Sequence, residues 1–167
     1  MEKKLATVLV VRKDERILLG MKKRGFGVGK WNGFGGKPLP GENIEKTAAR
    51  ETQEECAVVV KNIRKMGILD FEFAFKEEWN QQVHFFLAEE FDGDPAETEE
   101  MKPAWFSLEE IPYKSMWPDD KYWLPIMLEG KSFSGKFIFG KNNEILSHTI
   151  RAAKKIEISS RAKGTTE

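Results

Sequence analysis

The feature that most restricts the fold is a stretch rich in glycine and proline, followed at once by a helix-forming stretch. Residues 24–41 contain Pro38, Pro40 and seven glycines, at positions 25, 27, 29, 33, 35, 36 and 41. This composition excludes a long helix here and lets the backbone come close to a ligand. A helix is predicted over 44–56, which lacks Gly and Pro, with Asn43 as its N-cap.

Apolar segments rich in β-branched or aromatic residues predict the strands. They lie at 5–11, 17–19, 68–75, 83–87 and 104–106, with a closing hairpin of 133–139 and 145–149 that turns at Asn142-Asn143. A second helix is predicted over 122–128, after Trp117-Pro118-Asp119-Asp120, with an acidic residue as its N-cap. Strands mixed with two or three helices predict an α/β sandwich.

Length and charge favour one domain with a small-molecule partner. A chain of 167 residues suffices for one core, so we expect a domain over 1–151 and a frayed polar tail over 152–167. The 27 basic residues balance 27 acidic ones, which gives no overall attraction to nucleic-acid polymer or anionic membrane.

The apolar run at 5–11 is shorter than a typical signal-peptide core. With Cys56 as the sole cysteine, we predict a cytoplasmic protein and leave a mitochondrial or nuclear fraction open. We expect a monomer, because nothing in the sequence suggests an interface.

Three carboxylates share one face of the first predicted helix. Glu51, Glu54 and Glu55 have the i, i+3 and i+4 spacing that brings side chains together. Each like-charge pair costs an isolated helix roughly 0.2–0.5 kcal/mol, so the arrangement favours a bound cation. Magnesium is the natural candidate because it takes oxygen ligands and bridges to phosphates. The alternative is a solvated acidic face.

The segment from Gly36 to Val58, GKPLPGENIEKTAARETQEECAV, resembles the signature of the Nudix family. Its spacing matches at seven positions, which are Gly36, Glu42, Arg50, Glu51, Glu54, Glu55 and Val58. Two positions depart from that signature. Ala57 stands in place of the usual Gly, which puts the turn at the helix end in doubt, and Thr52 occupies a position that is commonly apolar.

Four further segments resemble the members of this family that hydrolyse oxidised purine nucleoside triphosphates, and they lie at 21–27, 31–37, 71–73 and 116–120. The resemblance covers roughly residues 5–151. It implies the Nudix fold, an α/β/α sandwich around a mixed, mainly antiparallel and curved sheet. It also implies hydrolysis of nucleotides such as 8-oxo-dGTP and 2-oxo-dATP to a monophosphate and pyrophosphate, which would clear damaged precursors from the nucleotide pool.

The same resemblance implies the catalytic residues. The Mg²⁺ ligands, with Mn²⁺ as an alternative ion, would be Glu51, Glu54, Glu55, Glu100 and the Gly35 carbonyl. Arg50 would orient the carboxylates, and Lys22 would meet a phosphate as a point charge. We favour Glu55 as the base that deprotonates the attacking water, with Glu51 and Glu100 as open alternatives.

The resemblance places a purine pocket beside this centre. Phe26, Phe71 or Phe73, Trp117 and Trp123 would supply flat apolar walls, and Asn32 would offer donors and an acceptor. Thr7, Phe34, Gly36 and Lys37 complete the predicted substrate-binding set.

Asp119 and Asp120 are adjacent carboxyls within that pocket. Burial and mutual repulsion would raise one pKa. Our hypothesis is that one carboxyl is protonated and donates to the purine while the other accepts. A proton that moves between them would let one pocket take oxidised guanine and oxidised adenine. The alternative is that either residue only caps the helix.

The remaining reactive side chains are predicted to be structural. His84 and His148 lie in strands without zinc-ligand spacing. Cys56 follows Glu55, whose charge disfavours a thiolate, and nucleophilic chemistry is therefore not expected. Trp79 and Phe86 are assigned to the core or the surface.

Three alternatives concern function. The first keeps the metal centre but changes the substrate to a dinucleoside polyphosphate, a nucleotide sugar or capped RNA. The second is a catalytically silent nucleotide-binding module, which only Ala57 favours. The third assigns a nucleic-acid or protein contact to the basic residues Arg151, Lys154, Lys155, Arg161 and Lys163, although Glu157 and Glu167 dilute their charge.

Overall fold

The computed structural model describes residues 3–155, and the side chains of residues 3–153. Within them the chain forms two helices, α1 (Ile44–Cys56) and α2 (Asp120–Leu128). The strands are β1 (Lys4–Lys13), β2 (Arg16–Lys22), β3 (Trp31–Asn32), β4 (Val59–Lys61), β5 (Arg64–Phe73), β6 (Gln81–Ala88), β7 (Glu90–Asp92), β8 (Met101–Ser107), β9 (Lys131–Phe139) and β10 (Ile145–Lys155). No helix in this part of the chain is long and apolar enough to cross a membrane.

One large mixed sheet forms the centre of the domain. Its strand order is β10-β9-β5-β6-β1-β2-β3, and β8 also pairs with β2. The β1–β6 and β5–β9 pairs are parallel, whereas the other pairs of this sheet are antiparallel. Strands β4 and β7 form a separate antiparallel pair. The predicted mixed, mainly antiparallel sheet is therefore confirmed.

The helices cover opposite faces of the sheet because side chains alternate along each strand. On β1, Val10 belongs to a core cluster with Trp123, Leu124 and Met127 of α2. Its neighbour Leu9 belongs to the other cluster, with Ala48 and Cys56 of α1. The predicted α/β/α layering of this fold is thus confirmed.

Helix α1 begins and ends at special backbone positions. Asn43 caps it as predicted, and its side chain accepts a hydrogen bond from Lys46 N at 2.9 Å. Ala57 ends it in the left-handed conformation, with φ of 66°, and its N–H donates to Gln53 O. Alanine therefore makes the turn that glycine usually makes, at some cost in backbone strain.

Several strands differ from their predicted bounds. β2 and β8 are longer than predicted, while β3, β4 and β7 have two or three residues each, too few to show a periodic pattern. The hairpin turn at Asn142-Asn143 forms, with Asn143 at a φ of 62°. Strand β10 continues to Lys155, beyond the predicted domain end at 151. The rest of the predicted tail, 156–167, lies outside the described residues.

Candidate active site

A pocket lies between the large sheet and the start of α2. Twelve of the predicted site residues line it: Thr7, Lys22, Phe26, Asn32, Gly35, Glu55, Phe71, Phe73, Trp117, Asp119, Asp120 and Trp123. Its floor comes from β1, β5 and β6, through Val8, Phe71 and Phe85 among others. Aromatic walls, buried carboxyls and Glu55 thus share one cavity, as the sequence predicts.

Two buried carboxyls share one donor in this pocket. Asp119 and Asp120 are only 5% and 6% exposed. The indole N–H of Trp123, one turn along α2, donates to Asp119 Oδ2 at 2.9 Å and to Asp120 Oδ1 at 3.1 Å. Asp119 occupies the N-cap position of α2, but its side chain makes no capping hydrogen bond. The prediction that an acidic side chain caps this helix is therefore wrong, because the indole competes successfully for both carboxyls.

Burial raises the pKa of both carboxyls, and the larger rise falls on Asp120. Desolvation is the main cause for each. The charge of Asp119 and a hydrogen bond between the two side chains raise the pKa of Asp120 further, while that bond lowers the pKa of Asp119. Asp120 is therefore the carboxyl that keeps its proton more readily, and Asp119 the one that ionises first.

Aromatic rings form the walls beside the carboxyls. The rings of Phe26 and Trp117 lie 5.0 Å apart, centroid to centroid, and Phe73 stacks on Phe139 at 5.1 Å. The ammonium of Lys30 lies 5.3 Å from the centroid of Trp117. Such flat faces suit a planar heterocycle. Asn32 donates through Nδ2 to Lys30 O at 3.0 Å, so its amide oxygen is the atom that can accept from a ligand.

Arg50 organises the acidic face of α1. Its guanidinium contacts Glu42 Oε2 at 2.8 Å, Glu51 Oε2 at 3.2 Å and Glu54 Oε1 at 3.1 Å. It also donates to the Lys37 carbonyl at 3.2 Å. Arg50 thus contacts two of the predicted metal-ligand carboxylates, and its orienting role stays a prediction.

Glu55 occupies a more enclosed position than the other carboxylates of this face. Its Oε1 accepts from Gly35 N at 3.1 Å. Burial is the main cause that raises the pKa of Glu55 to about 8; the charges of Glu51 and Glu100 act in the same direction, and the Gly35 N–H and Lys22 oppose them. Burial also raises the pKa of Glu51. The charged form of both carboxylates is therefore disfavoured in their surroundings, and a bound cation would favour it.

The candidate metal-ligand carboxylates suit a divalent cation chemically, but their side chains do not converge on a common point. All the candidates are oxygen donors, which magnesium prefers. Among residues 3–155, however, no three acidic, His or Cys side chains converge as a metal site. Glu100 illustrates why, since its carboxylate is paired with Arg24 Nη2 at 2.6 Å. Binding would need rotamer changes at Glu100 and on α1.

Comparison with known proteins agrees with this geometry. The family model described as the NUDIX domain matches residues 2–126. The chain belongs to the Nudix family. The oxidized purine nucleoside triphosphate hydrolase of Mus musculus is 48% identical over 148 residues, which is 89% of this chain and 94% of that protein. The protein of the same name in Danio rerio is 48% identical over 147 residues, 88% of this chain and 94% of its own length.

A solved structure shows the same fold. The crystal structure of a MutT protein from Bacillus halodurans superposes with a TM-score of 0.79 at 28% identity. The match covers 88% of this chain and 97% of that one.

The two departures from the Nudix signature are accommodated locally. Thr52 is buried, and its hydroxyl donates to Ala48 O at 2.8 Å, so a polar side chain occupies the apolar position with its hydrogen bond made. Ala57 keeps the left-handed turn at the end of the Nudix helix. Neither departure displaces a carboxylate of α1.

Three predicted substrate-binding residues do not line the pocket. Phe34 is fully buried in the cluster beneath α1, because its side chain points to that face of the sheet, and the prediction for its ring is wrong. The side chain of Lys37 is exposed, and only its carbonyl contacts the network. Gly36 lies against Glu51, where an added Cβ would come 2.5 Å from the carboxylate. The lack of a side chain at Gly36 therefore lets the backbone pass close to α1.

The structure also adds residues that sequence reasoning missed. Phe139 and Met101 line the pocket, and the β5–β9 and β2–β8 pairings that bring them there cannot be read from spacing. Glu42 anchors Arg50, and the match of Glu42 to the Nudix signature was the sequence signal that could have identified it.

Thr98 is a further residue that sequence reasoning missed. Its hydroxyl donates to Glu55 O at 2.9 Å and accepts from Glu100 N at 3.2 Å, which ties the loop that carries Glu100 to the end of α1.

The remaining reactive side chains have structural surroundings. Burial raises the pKa of the Cys56 thiol to about 11, as expected for an inert cysteine. His84 is buried, with Nε2 3.0 Å from Gln82 Oε1, and His148 stacks on Phe137 at 5.2 Å. Phe86 is fully buried under α1.

Proposed function

We propose that this Nudix hydrolase cleaves oxidised purine nucleoside triphosphates, with 8-oxo-dGTP and 2-oxo-dATP as representatives, to the monophosphate and pyrophosphate. The observation that carries the proposal is the buried pair Asp119 and Asp120, bound by Trp123 inside a pocket that also contains Glu55. The names of the mouse and zebrafish relatives support the same substrate class. Removal of such nucleotides would protect DNA synthesis from damaged precursors.

The carboxyl pair can recognise the hydrogen-bonding edge of an oxidised purine. The raised pKa of Asp120 keeps a proton on that side chain, so it can donate to an oxygen or nitrogen of the ring. Asp119 ionises first and can accept from a ring N–H. A change in which carboxyl holds the proton would present a different donor and acceptor pattern, which suits a second oxidised base.

Residues at the other end of the ligand would handle the triphosphate. The ammonium of Lys22 can contact a phosphate oxygen, while Glu55, held by Gly35 N, is the base that takes a proton from the attacking water. Arg50 keeps Glu51 and Glu54 in place through its guanidinium. Phosphoryl transfer depends mainly on such positioning and on charge neutralisation.

A divalent cation belongs to this proposal, and Mg²⁺ suits the donors best. Glu51, Glu54, Glu55, Glu100 and the Gly35 carbonyl are the oxygens that would hold it. When bound, it would offset the phosphate charge and make a water molecule more acidic. We further propose that the protein is cytoplasmic, consistent with its single buried cysteine, and that it acts as a monomer.

The test is hydrolysis of 8-oxo-dGTP and dGTP, each with Mg²⁺, following monophosphate and pyrophosphate by chromatography. We expect a strong preference for the oxidised nucleotide and loss of turnover in Glu55→Gln by about 10²–10⁴-fold. Equal or absent turnover of both nucleotides would rule out the substrate assignment. A panel of dinucleoside polyphosphates, nucleotide sugars and capped RNA would then be tested.

A further inference from the structure

Phe26 sits at the tip of a turn whose first residues are held by ion pairs, from Lys23 to Glu97 at 2.7 Å and from Arg24 to Glu100 at 2.6 Å. The turn connects β2 to β3, and Gly25 and Gly27 on either side of Phe26 have a φ of 83°. Backbone hydrogen bonds from Val28 N to Gly25 O at 3.2 Å and from Lys30 N to Gly27 O at 3.1 Å keep it compact. Glycines at these positions adopt the left-handed backbone without strain, but they place no side chain beside Phe26. The position of the Phe26 ring therefore depends on what it packs against.

The ring of Phe26 contacts two indoles. The ring of Trp117, a wall of the pocket, lies 5.0 Å away, centroid to centroid. The ring of Trp79 lies 4.5 Å away, at an interplanar angle of 61°. Phe26 nevertheless remains 46% exposed. Contact with each indole therefore contributes substantially to holding the Phe26 ring in place.

Trp79 does not line the pocket but is itself held firmly. It ends a 3₁₀ helix, Glu77–Trp79, in the connection between β5 and β6. Next to it, the Asn80 side chain accepts from Phe73 N at 2.7 Å and ties this connection to the end of β5. The Lys76 ammonium lies 4.5 Å from the Trp79 ring centroid, and the Phe73 ring is 5.6 Å away.

We propose that Trp79 is a positioning residue that holds Phe26 over the purine pocket, so that the Phe26–Trp79 pair sets how tightly the base is bound. The pair bridges the β2–β3 turn and the β5–β6 connection, two segments far apart in sequence. Trp79 acts through Phe26 and Phe73, both of which line the pocket. This inference rests on the proposed function for its substrate, whereas the contact itself does not.

The kinetic test uses Trp79→Ala, Trp79→Phe and the control Phe75→Ala. Phe75 lies in the same connection and is 70% exposed, so its removal deletes a similar apolar surface outside the pair. We expect Trp79→Ala to raise KM for 8-oxo-dGTP by about two- to tenfold, with kcat little changed, because an edge-to-face aromatic contact is lost. Trp79→Phe should restore most of the affinity, and Phe75→Ala should leave KM unchanged.

A second readout needs no nucleotide. Hydrogen exchange of the amides of residues 25–30, followed by mass spectrometry, reports how firmly the turn is held. Exchange should be about two- to tenfold faster in Trp79→Ala and unaltered in Phe75→Ala. If the unaltered protein does not hydrolyse 8-oxo-dGTP, the proposed function fails and exchange alone decides the role of Trp79. Unchanged exchange in Trp79→Ala, or an equal rise of KM in Phe75→Ala, would overturn the proposal.

Discussion

Arg50 binds Glu42 through two parallel hydrogen bonds, from Nε to Oε2 at 2.8 Å and from Nη2 to Oε1 at 3.0 Å. This bidentate geometry fixes the plane of the guanidinium. Its remaining nitrogen, Nη1, then faces Glu51 and Glu54. Glu42 is held in turn by Leu39 N at 3.0 Å. The carboxylate that precedes α1 therefore determines where two carboxylates on α1 lie.

Substitution of Glu42 should change the acid stability of the protein. The Arg50 guanidinium lowers the pKa of Glu42 from 4.5 to about 2. A carboxylate with a lowered pKa stabilises the fold above its unfolded-state pKa, and that contribution disappears as the pH falls from about 4.5 to about 2. Glu42→Gln should therefore be less stable than the unaltered protein at neutral pH, by an amount that shrinks across this window. Urea unfolding at several pH values measures it, and a difference independent of pH would contradict the assignment.

Gly36→Ala should displace Glu51 without unfolding the protein. An added Cβ would meet the Glu51 carboxylate at 2.5 Å, so this side chain must move. A displacement of about 1 Å at a catalytic centre can cost 10²-fold in rate. We expect kcat for the oxidised nucleotide to fall by about that factor, with circular dichroism and the melting temperature little changed. Full activity in this variant would show that the position of Glu51 is not critical.

The parts of this protein that local pattern determines were predictable, and those that depend on strand pairing were not. Asn43 as a cap and the common face of Glu51, Glu54 and Glu55 follow from helix geometry alone. Phe139 reaches the pocket only because β9 lies beside β5, and sequence spacing does not show that neighbour.

Two errors have specific physical causes. Phe34 belonged to the predicted substrate-binding set, but its bridge to Leu9 turns the ring into the core beneath α1. Asp119 looked like a helix cap, but the Trp123 indole N–H reaches its carboxyl. A tertiary contact overrides the local preference at Phe34, and a side-chain contact from one helical turn away does so at Asp119.

Ala57→Gly should stabilise the protein. Ala57 has a φ of 66°, a conformation that costs a residue with a Cβ roughly 1–2 kcal/mol and costs glycine little. Glycine loses more conformational freedom on folding, which returns part of the gain. We expect a net increase of about 0.5–1 kcal/mol in the free energy of unfolding, seen as a melting temperature higher by about 1–4 °C. A lower melting temperature would show that the methyl group makes contacts that outweigh the strain.

The two carboxyls of the purine pocket should respond differently to replacement by an amide. Asn at 120 can donate a hydrogen bond as a protonated carboxyl does, so Asp120→Asn should keep 8-oxo-dGTP turnover within about tenfold. Asp119→Asn replaces the carboxylate that ionises first with a neutral amide, which has one accepting oxygen instead of two, and should lose more activity. Either change should also alter the pH dependence of the preference between 8-oxo-dGTP and 2-oxo-dATP. A preference that is independent of pH and unchanged in both variants would contradict proton sharing.

The stability of the protein should also depend on the proton of Asp120. Burial and the charge of Asp119 raise the pKa of Asp120 well above 3.8, so the folded state binds this proton more tightly than the unfolded chain does. The resulting stabilisation is complete below the unfolded-state pKa and is lost as the pH rises towards the folded-state pKa. Asp120→Asn removes this dependence, so its free energy of unfolding should fall less than that of the unaltered protein as the pH rises above about 4. Parallel pH profiles in urea would mean that Asp120 ionises in the folded protein as easily as in the unfolded chain.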